Sequence, residues 1–566
     1  MHFVPCRGLS SAIALTAAIL LFPAPSLLKA QGGEPQSFAI RGATVVPVSG
    51  PRIENATVIV SQGVITAVGK DVTFPQETWI IDGKGLTVYP GLFDSLTDIG
   101  LVAAAAPAGG DGGGHSQQAI SRGPEDRPGS TAWRDAAGEA TLSDKRIETW
   151  RTGGFTTVVS AHKGGGIFPG QGATLDLAGE RNGDMVVKAP VAIPVSLQPV
   201  GNFTSFPGSL MGTLGYVRQV WLDVDWSAKA EAIYDKNPRG VARPRYDRTS
   251  SALADALEEH ALVLIPANNF VQIRRSFELV ERWHVTAAIY GGQMSYELAD
   301  EIAAKKLPVL VDLKWPEADK DGDPDDIPSL RTLRFRDRAP SSPAALAKAG
   351  VKFAFYSGGI AAPKDVLKAA KKSIDAGLAS DAALRALTLS SAEIFGVADR
   401  LGSIEKGKIA NLVLTDGDLF DEKTKIKYVF VDGRRFTIRE AEKPKDPPKG
   451  DLTGKWKLAY TTPEGAEEST ADITMGSDGA LSGTFSGKRG AHDILNGSLS
   501  ADKFTFTINI VLEDGPADAV FTGTFDGTSM KGNIHVVGID IDFTGTKAPT
   551  RSVAGEQSTD AQGAAR

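Results

Sequence analysis

Val285-Thr286-Ala287-Ala288-Ile289-Tyr290, then the segment Tyr296–Lys305 (YELADEIAAK), then Val309-Leu310-Val311-Asp312-Leu313 decide the fold class. Two short apolar runs bracket a segment whose apolar residues recur at helical spacing. The same alternation extends both ways, from Tyr89 to about Phe395. Further apolar runs lie at Phe155–Ser160, Val191–Val195, Leu262–Ile265 and Phe353–Tyr356. Helix-period segments lie at Ser251–His260, Val271–His284 and Pro363–Gly377. Repeated strand–helix alternation implies an α/β protein with a parallel sheet, either a (β/α)8 TIM barrel or an open doubly wound sheet. No nucleotide-type glycine fingerprint opens the first unit, which favours the barrel.

Outward from this core the patterning changes. Ala104–Pro128, rich in Gly, Pro and Ala, is expected to be a mobile loop. Glu317–Pro328 carries five aspartates without the glycine and terminal glutamate of a calcium loop, so a solvated loop is expected. Before the barrel, Phe38–Ile40, Thr44–Val46, Ala56–Val60 and Val64–Val68 are β-rich runs separated by turn pairs such as Gln62-Gly63. After it, Ala410–Leu414 and Tyr428–Val431 return to β. A Lys- and Pro-rich linker then leads to eight alternating runs: Trp456–Tyr460, Ala471–Met475, Leu481–Ser486, Asp493–Leu499, Lys503–Val511, Ala519–Phe525, Met530–Val537 and Asp540–Thr546. Eight such runs at regular spacing suggest a separate antiparallel eight-stranded β-barrel.

The composition is that of a soluble globular chain: of 566 residues, 42% are apolar and 23% charged, enough for a large core. A net charge of −7 argues against a nucleic-acid surface. The basic Arg7, the apolar Ser10–Phe22 and the small Ala30 read as a secretory signal, the apolar run being too short to span a bilayer. Export to the periplasm or the extracellular space is expected, with no membrane span after signal cleavage. Cys6 is the only cysteine and lies in this segment, so neither disulfides nor thiolate chemistry are expected. The expected organisation is a signal at 1–30, a composite β-sandwich from 31–88 and 398–438, the barrel at 89–397, a linker at 439–450, the β-barrel at 451–547 and a disordered tail at 548–566.

Two segments that flank the strand–helix region carry a family resemblance. Ile80-Ile81-Asp82-Gly83-Lys84-Gly85 with Val88-Tyr89-Pro90-Gly91-Leu92-Phe93-Asp94-Ser95 resembles the approach to the first barrel strand of the amidohydrolase superfamily. Arg400–Val413 (RLGSIEKGKIANLV) is similar to that superfamily's exit, with Asn411 where the family usually has Asp. Gly170–Gly179 (GQGATLDLAG) and Phe206–Gly212 (FPGSLMG) resemble bacterial, imidazolonepropionase-related members. The resemblance covers roughly residues 38–436. In the C-terminal unit, Gly454-Lys455-Trp456 is similar to the Gly-x-Trp opening of lipocalin-like barrels.

The resemblance implies a composite sandwich from the flanking segments. It also implies metal-dependent hydrolysis of non-peptide C–N bonds, such as cyclic amides. There, divalent metals at the C-terminal mouth lower the pKa of bound water and polarise the scissile carbonyl. The first strand of the family ends in His-x-His, which places both rings on one face. Here those positions are Leu96 and Asp98. The next ligand positions fall at Pro266 and Tyr290, and the family's late aspartate falls at Gly358, after Ser357. Of these only Asp98 could give an oxygen to a metal. His162, following a strand at the catalytic rim, is the one histidine near enough to help. A structural or ligand-binding role suits it better, because zinc needs three or more protein ligands. His260 and His284 end helices at the opposite rim, His492 and His535 lie in the C-terminal unit, and His115 lies in the glycine-rich insertion. Ser357 has no His or Lys placed to activate it as a nucleophile.

Three readings of function follow. The first is a catalytically inactive amidohydrolase homologue that needs no cofactor and acts as a binding or partner subunit. Its partner would be an intact amidohydrolase paralogue or a second copy of itself. The second is an active hydrolase of cyclic amides or acyl-amino acids, with zinc or another divalent metal in a rearranged site. The third places small-ligand binding in the C-terminal β-barrel.

Overall fold

A computed structural model describes residues 37–75, 78–101, 127, 129–164, 166–200, 207–318, 327–438, 446–462, 465–476, 479–488, 490–512, 515–536 and 539–548. The expected signal segment, the tail beyond 548, His115 with the glycine-rich insertion through 126, and the aspartates of the acidic run lie outside the described residues. Among the described residues no helix is long and apolar enough to cross a membrane. The described residues divide into two compact units, one within 37–438 and one within 446–548.

The first unit starts with β1 (Ser37–Val45), β2 (Ile53–Ser61), β3 (Val64–Gly69), β4 (Trp79–Asp82) and β5 (Thr87–Pro90). Gln62 and Gly63 both take positive φ, +50° and +79°, the two-residue turn whose twist matches a hairpin, so β2 and β3 pair directly. The chain then forms β6 (Leu92–Thr97), β7 (Phe155–Ser160), β8 (Gly172–Asp176), β9 (Val186–Pro194), β10 (Leu262–Ala267), β11 (Ala287–Gly291), β12 (Val309–Asp312) and β13 (Phe353–Tyr356). These pair in sequence order as one eight-stranded sheet. It is the TIM-type barrel, with one departure from uniform parallel pairing. β8 runs antiparallel to both β7 and β9. The described residues of the link from Ala161 to Gln171 form no helix, and a parallel crossover needs a dozen or more residues, so the chain turns straight back.

Inward side chains fill the barrel: Phe93, Val159, Leu264, Ala288, Leu310 and Ala354 are buried in one cluster. The outer face packs on helices whose lengths follow the sequence pattern: Arg248–Glu258, Phe270–Trp283, Ala299–Lys305 and Pro363–Asp375. Asp247 and Asn269 cap the first two by accepting backbone N–H bonds. His260 and His284 follow those two helices with φ of +61° and +53°. They end the helices in the left-handed geometry usual there, as expected of helix-terminal residues. No ladder joins β6 to β13. Asp94 bridges that seam, its Oδ1 accepting from the Ser357 N–H at 2.9 Å.

After the barrel, β14 (Leu412–Thr415), β15 (Ile426–Val431) and β16 (Arg434–Thr437) return to the first sheet. β14 pairs with β5, so the flanking segments become one eight-stranded sheet around a core that includes Ile40, Val58, Leu412 and Phe430. Asn411 joins this sheet to the barrel. Its Nδ2 donates to Asp176 Oδ1 at 2.8 Å and to Thr157 Oγ1 at 3.0 Å, while its Oδ1 accepts from the Asp432 N–H at 2.8 Å.

The second unit is a closed antiparallel barrel of β17 (Gly454–Thr462), β18 (Gly465–Met475), β19 (Ala480–Gly487), β20 (Gly490–Ser500), β21 (Lys503–Leu512), β22 (Gly515–Phe525), β23 (Ser529–Val536) and β24 (Ile539–Lys547). Closure leaves no free edge. Trp456, Phe506 and Phe521 are fully buried inside it, and the Trp456 indole donates to the Leu452 carbonyl at 2.9 Å.

Candidate functional site

The residues picked out by the sequence lie at the C-terminal ends of β6, β7, β10, β11 and β13. Leu96 is half-buried and packs with Tyr290 against the interior cluster of Phe93, Val159 and Leu264. Pro266 stands opposite Tyr290 in the β10–β11 register. Burial pushes the Tyr290 phenol up to about 12, which keeps it a neutral hydroxyl; it donates to the Val195 carbonyl at 3.5 Å.

Asp98 is not free to take a metal. Arg146 Nη1 donates to its Oδ1 at 2.9 Å and Lys163 Nζ donates to the same atom at 3.2 Å. Burial disfavours its charge, but the two cations outweigh burial and hold the carboxyl below its usual range. His162 is turned elsewhere. Its Nε2 lies 3.0 Å from Glu139 Oε2, and its Nδ1 is buried without a hydrogen-bond partner. Gly170 makes this fit, because a Cβ there would lie 2.8 Å from Nδ1. Asp98 and His162 are thus each engaged by a different partner.

Gly358 has a specific neighbour. With φ of +61°, a Cβ at this position would lie 1.8 Å from Asp312 Oδ1. The space a 358 side chain would need is filled by the carboxylate that ends β12. Asp312 also accepts from the Lys314 N–H at 2.8 Å and from the Tyr356 hydroxyl. Burial raises its pKa, and burial with the nearby Asp312 raises that of Tyr356 well above the ordinary phenol value. Asp94, also at this mouth, is raised to about 6 by burial, against the lowering effect of Ser357 and Lys163. Its Oδ2 is buried and unpartnered, which suits a protonated carboxyl. Ser357 faces Asp94 and no base, so its hydroxyl serves the seam.

Sequence reasoning named Leu96, Asp98, Pro266, Tyr290, Gly358, His162 and Ser357, and missed Asp94, Asp312, Tyr356, Lys163, Arg146 and Glu139. Lys163 acts on Asp94, Asp98 and Asp312 together. The available signal was a carboxylate that closes an apolar strand in Val309-Leu310-Val311-Asp312, the barrel end where sites form. Among the described residues no group of three or more His, Cys, Asp or Glu is placed to hold a metal ion. The donors at this mouth do not fit a divalent metal, because Leu96, Pro266 and Gly358 offer no side-chain donor and Asp98 is neutralised by cations.

The chain thus combines a TIM-type barrel with one sheet built from both flanking segments. Residues 313–436 match the model of the amidohydrolase family. The structure is similar to an amidohydrolase from Thermotoga maritima MSB8, with 24% identity, a TM-score of 0.58, and coverage of 71% of this chain and 100% of that one. It is also similar to a prolidase complexed with N-methylphosphonate-L-proline, at 20% identity and a TM-score of 0.46, covering 71% of this chain and 100% of that one. A Xaa-Pro dipeptidase with bound methionine is similar at 15% identity and a TM-score of 0.44, covering 71% of this chain and 100% of that one. No curated protein matches the sequence.

Proposed function

We propose that this chain is an exported member of the amidohydrolase family that has lost metal-dependent hydrolysis and works as a binding or partner subunit. The observation that carries this reading is the pair of substitutions at the two ends of the mouth. Asp98 is locked between Arg146 and Lys163, and the place of the late aspartate is a glycine whose side-chain space Asp312 fills. Water activation in this family needs a metal and a proton-accepting carboxylate. Here the carboxyl groups close the barrel seam and pair with cations.

What the mouth offers instead is recognition. Tyr290 and Tyr356 stay neutral hydroxyls, Asp94 can hold a proton near pH 6, and Lys163 supplies one half-exposed ammonium. Such a set can orient a small polar ligand without reacting with it. Partner action is the other half of the proposal, with either an intact paralogue or a second copy of this chain.

The test is an amide-hydrolysis screen over cyclic amides, ureides, acyl-amino acids and Xaa-Pro dipeptides, run with and without chelator. The proposal expects no turnover that chelator removes. Chelator-sensitive hydrolysis that returns on adding zinc would contradict it. Co-purification with an intact paralogue would favour the partner form over a stand-alone binder.

A further inference from the structure

The C-terminal barrel is packed unevenly along its axis. One end is filled by rings: Trp456 meets Phe525 with centroids 5.8 Å apart, and Phe504 meets Phe543 at 6.2 Å. The other end contains a cavity of about 240 Å³ with walls that include Phe485, Ile508, Phe521 and Ile534. An engineered apolar cavity of about 150 Å³ holds benzene, so this one holds roughly ten non-hydrogen atoms.

The polar groups on this cavity are confined to one end and are rich in acceptors. Tyr460, Thr462, Glu467, Lys488 and His492 line it there. Strand alternation sets the direction of three of them. Tyr460 continues the inward series Trp456, Leu458; Glu467 precedes the inward Ser469 and Ala471; His492 precedes the inward Ile494. The Glu467 side chain is only 13% exposed, and Lys488 Nζ stays 3.6 Å from its oxygen, too far for a good charge-assisted hydrogen bond. His492 Nε2 is buried with no hydrogen-bond partner. The Tyr460 hydroxyl lies 2.6 Å from Ser469 Oγ, which leaves its oxygen a lone pair to offer.

We propose that this barrel binds a small amphipathic amine, with its apolar body in the cavity and its ammonium between Glu467, His492 and Tyr460. An ammonium has three donors and no acceptor, which complements a carboxylate, an imidazole nitrogen and a phenol oxygen. An anionic head in the same place would lie against Glu467 and be repelled. The site lies in the second unit, so this inference is independent of the loss of hydrolysis proposed for the first.

Calorimetric titration of the full chain with octylamine, octanol and octanoate tests it. Octylamine is expected to bind once per chain and at least about tenfold more tightly than octanol, the scale of a charge-assisted hydrogen bond, with octanoate weakest. Glu467→Gln should bring octylamine down to the level of octanol and change octanol by less than about twofold, which also reports that the barrel remains folded. Tightest binding of octanoate, equal binding of all three, an amine preference that survives Glu467→Gln, or no binding of any probe would each overturn the proposal.

Discussion

Each unit arranges eight strands around a core, yet the two place their polar groups in different ways. In the α/β barrel the carboxyls Asp94, Asp98 and Asp312 gather at the mouth under Lys163, where they fasten strand ends to each other. In the C-terminal barrel the cavity walls are apolar and the acceptors at its end, Glu467 and His492 Nε2, are barely engaged. Polar groups whose hydrogen bonds are met within the protein stabilise the fold, although Asp94 Oδ2 in the first barrel is itself buried without a partner. Buried acceptors without close partners keep capacity for a ligand.

The contrast breaks most visibly at Gly358. Gly358→Asp puts a carboxyl at a position of positive φ and drives it into Asp312. Strain, overpacking and like charge together should cost roughly 3–5 kcal/mol. Urea unfolding measures this, and an unchanged midpoint would show that the mouth has room for an aspartate at 358.

A second carboxyl tests how buried charge is tolerated away from the mouth. Asp176 is buried beneath Asn411, and burial raises its pKa to about 7, against the lowering hydrogen bonds of Thr157 and Asn411. A carboxyl raised on folding contributes its full stability below the unfolded value near 4 and loses it as pH rises through about 7. Asp176→Asn should therefore stabilise the protein by roughly 2–4 kcal/mol at pH 8 and by much less at pH 4, seen in unfolding curves at the two pH values. Equal effects at both would mean that Asp176 is ionised throughout. An aspartate in place of Asn411 would set two carboxyls about 2.8 Å apart in a buried site.

The smallest expected effect is at Lys163. Its side chain is half exposed, so Lys163→Met should change stability by less than about 1 kcal/mol. It should nevertheless raise the pKa of Asp94 above its present value near 6, because Lys163 favours the charged form. Carboxyl titration followed by NMR would read this, and an unmoved Asp94 would remove Lys163 from the centre of the mouth.

Most of the fold was legible because each element repeats a period. The runs from Phe155 to Tyr356 and the alternating strands after Trp456 fall where the sequence places them. β8 was not recognised as a strand, since Gly172–Asp176 has neither the length nor the flanking helices of its neighbours. The positions named at the mouth came from the family resemblance. Their partners did not: Asp94 meets Ser357 across 263 residues and Lys163 meets Asp98 across 65, pairings that no local pattern encodes. The clash at Gly358 likewise depends on β12 and β13 lying side by side.

The central claim is that the mouth of the α/β barrel no longer takes a metal. Elemental analysis of the gently purified chain, followed by titration with zinc, tests it most directly. The account predicts well under one divalent ion per chain and no saturable zinc binding that Asp98→Ala or His162→Ala weakens. Near-stoichiometric metal, lost in either variant, would contradict it.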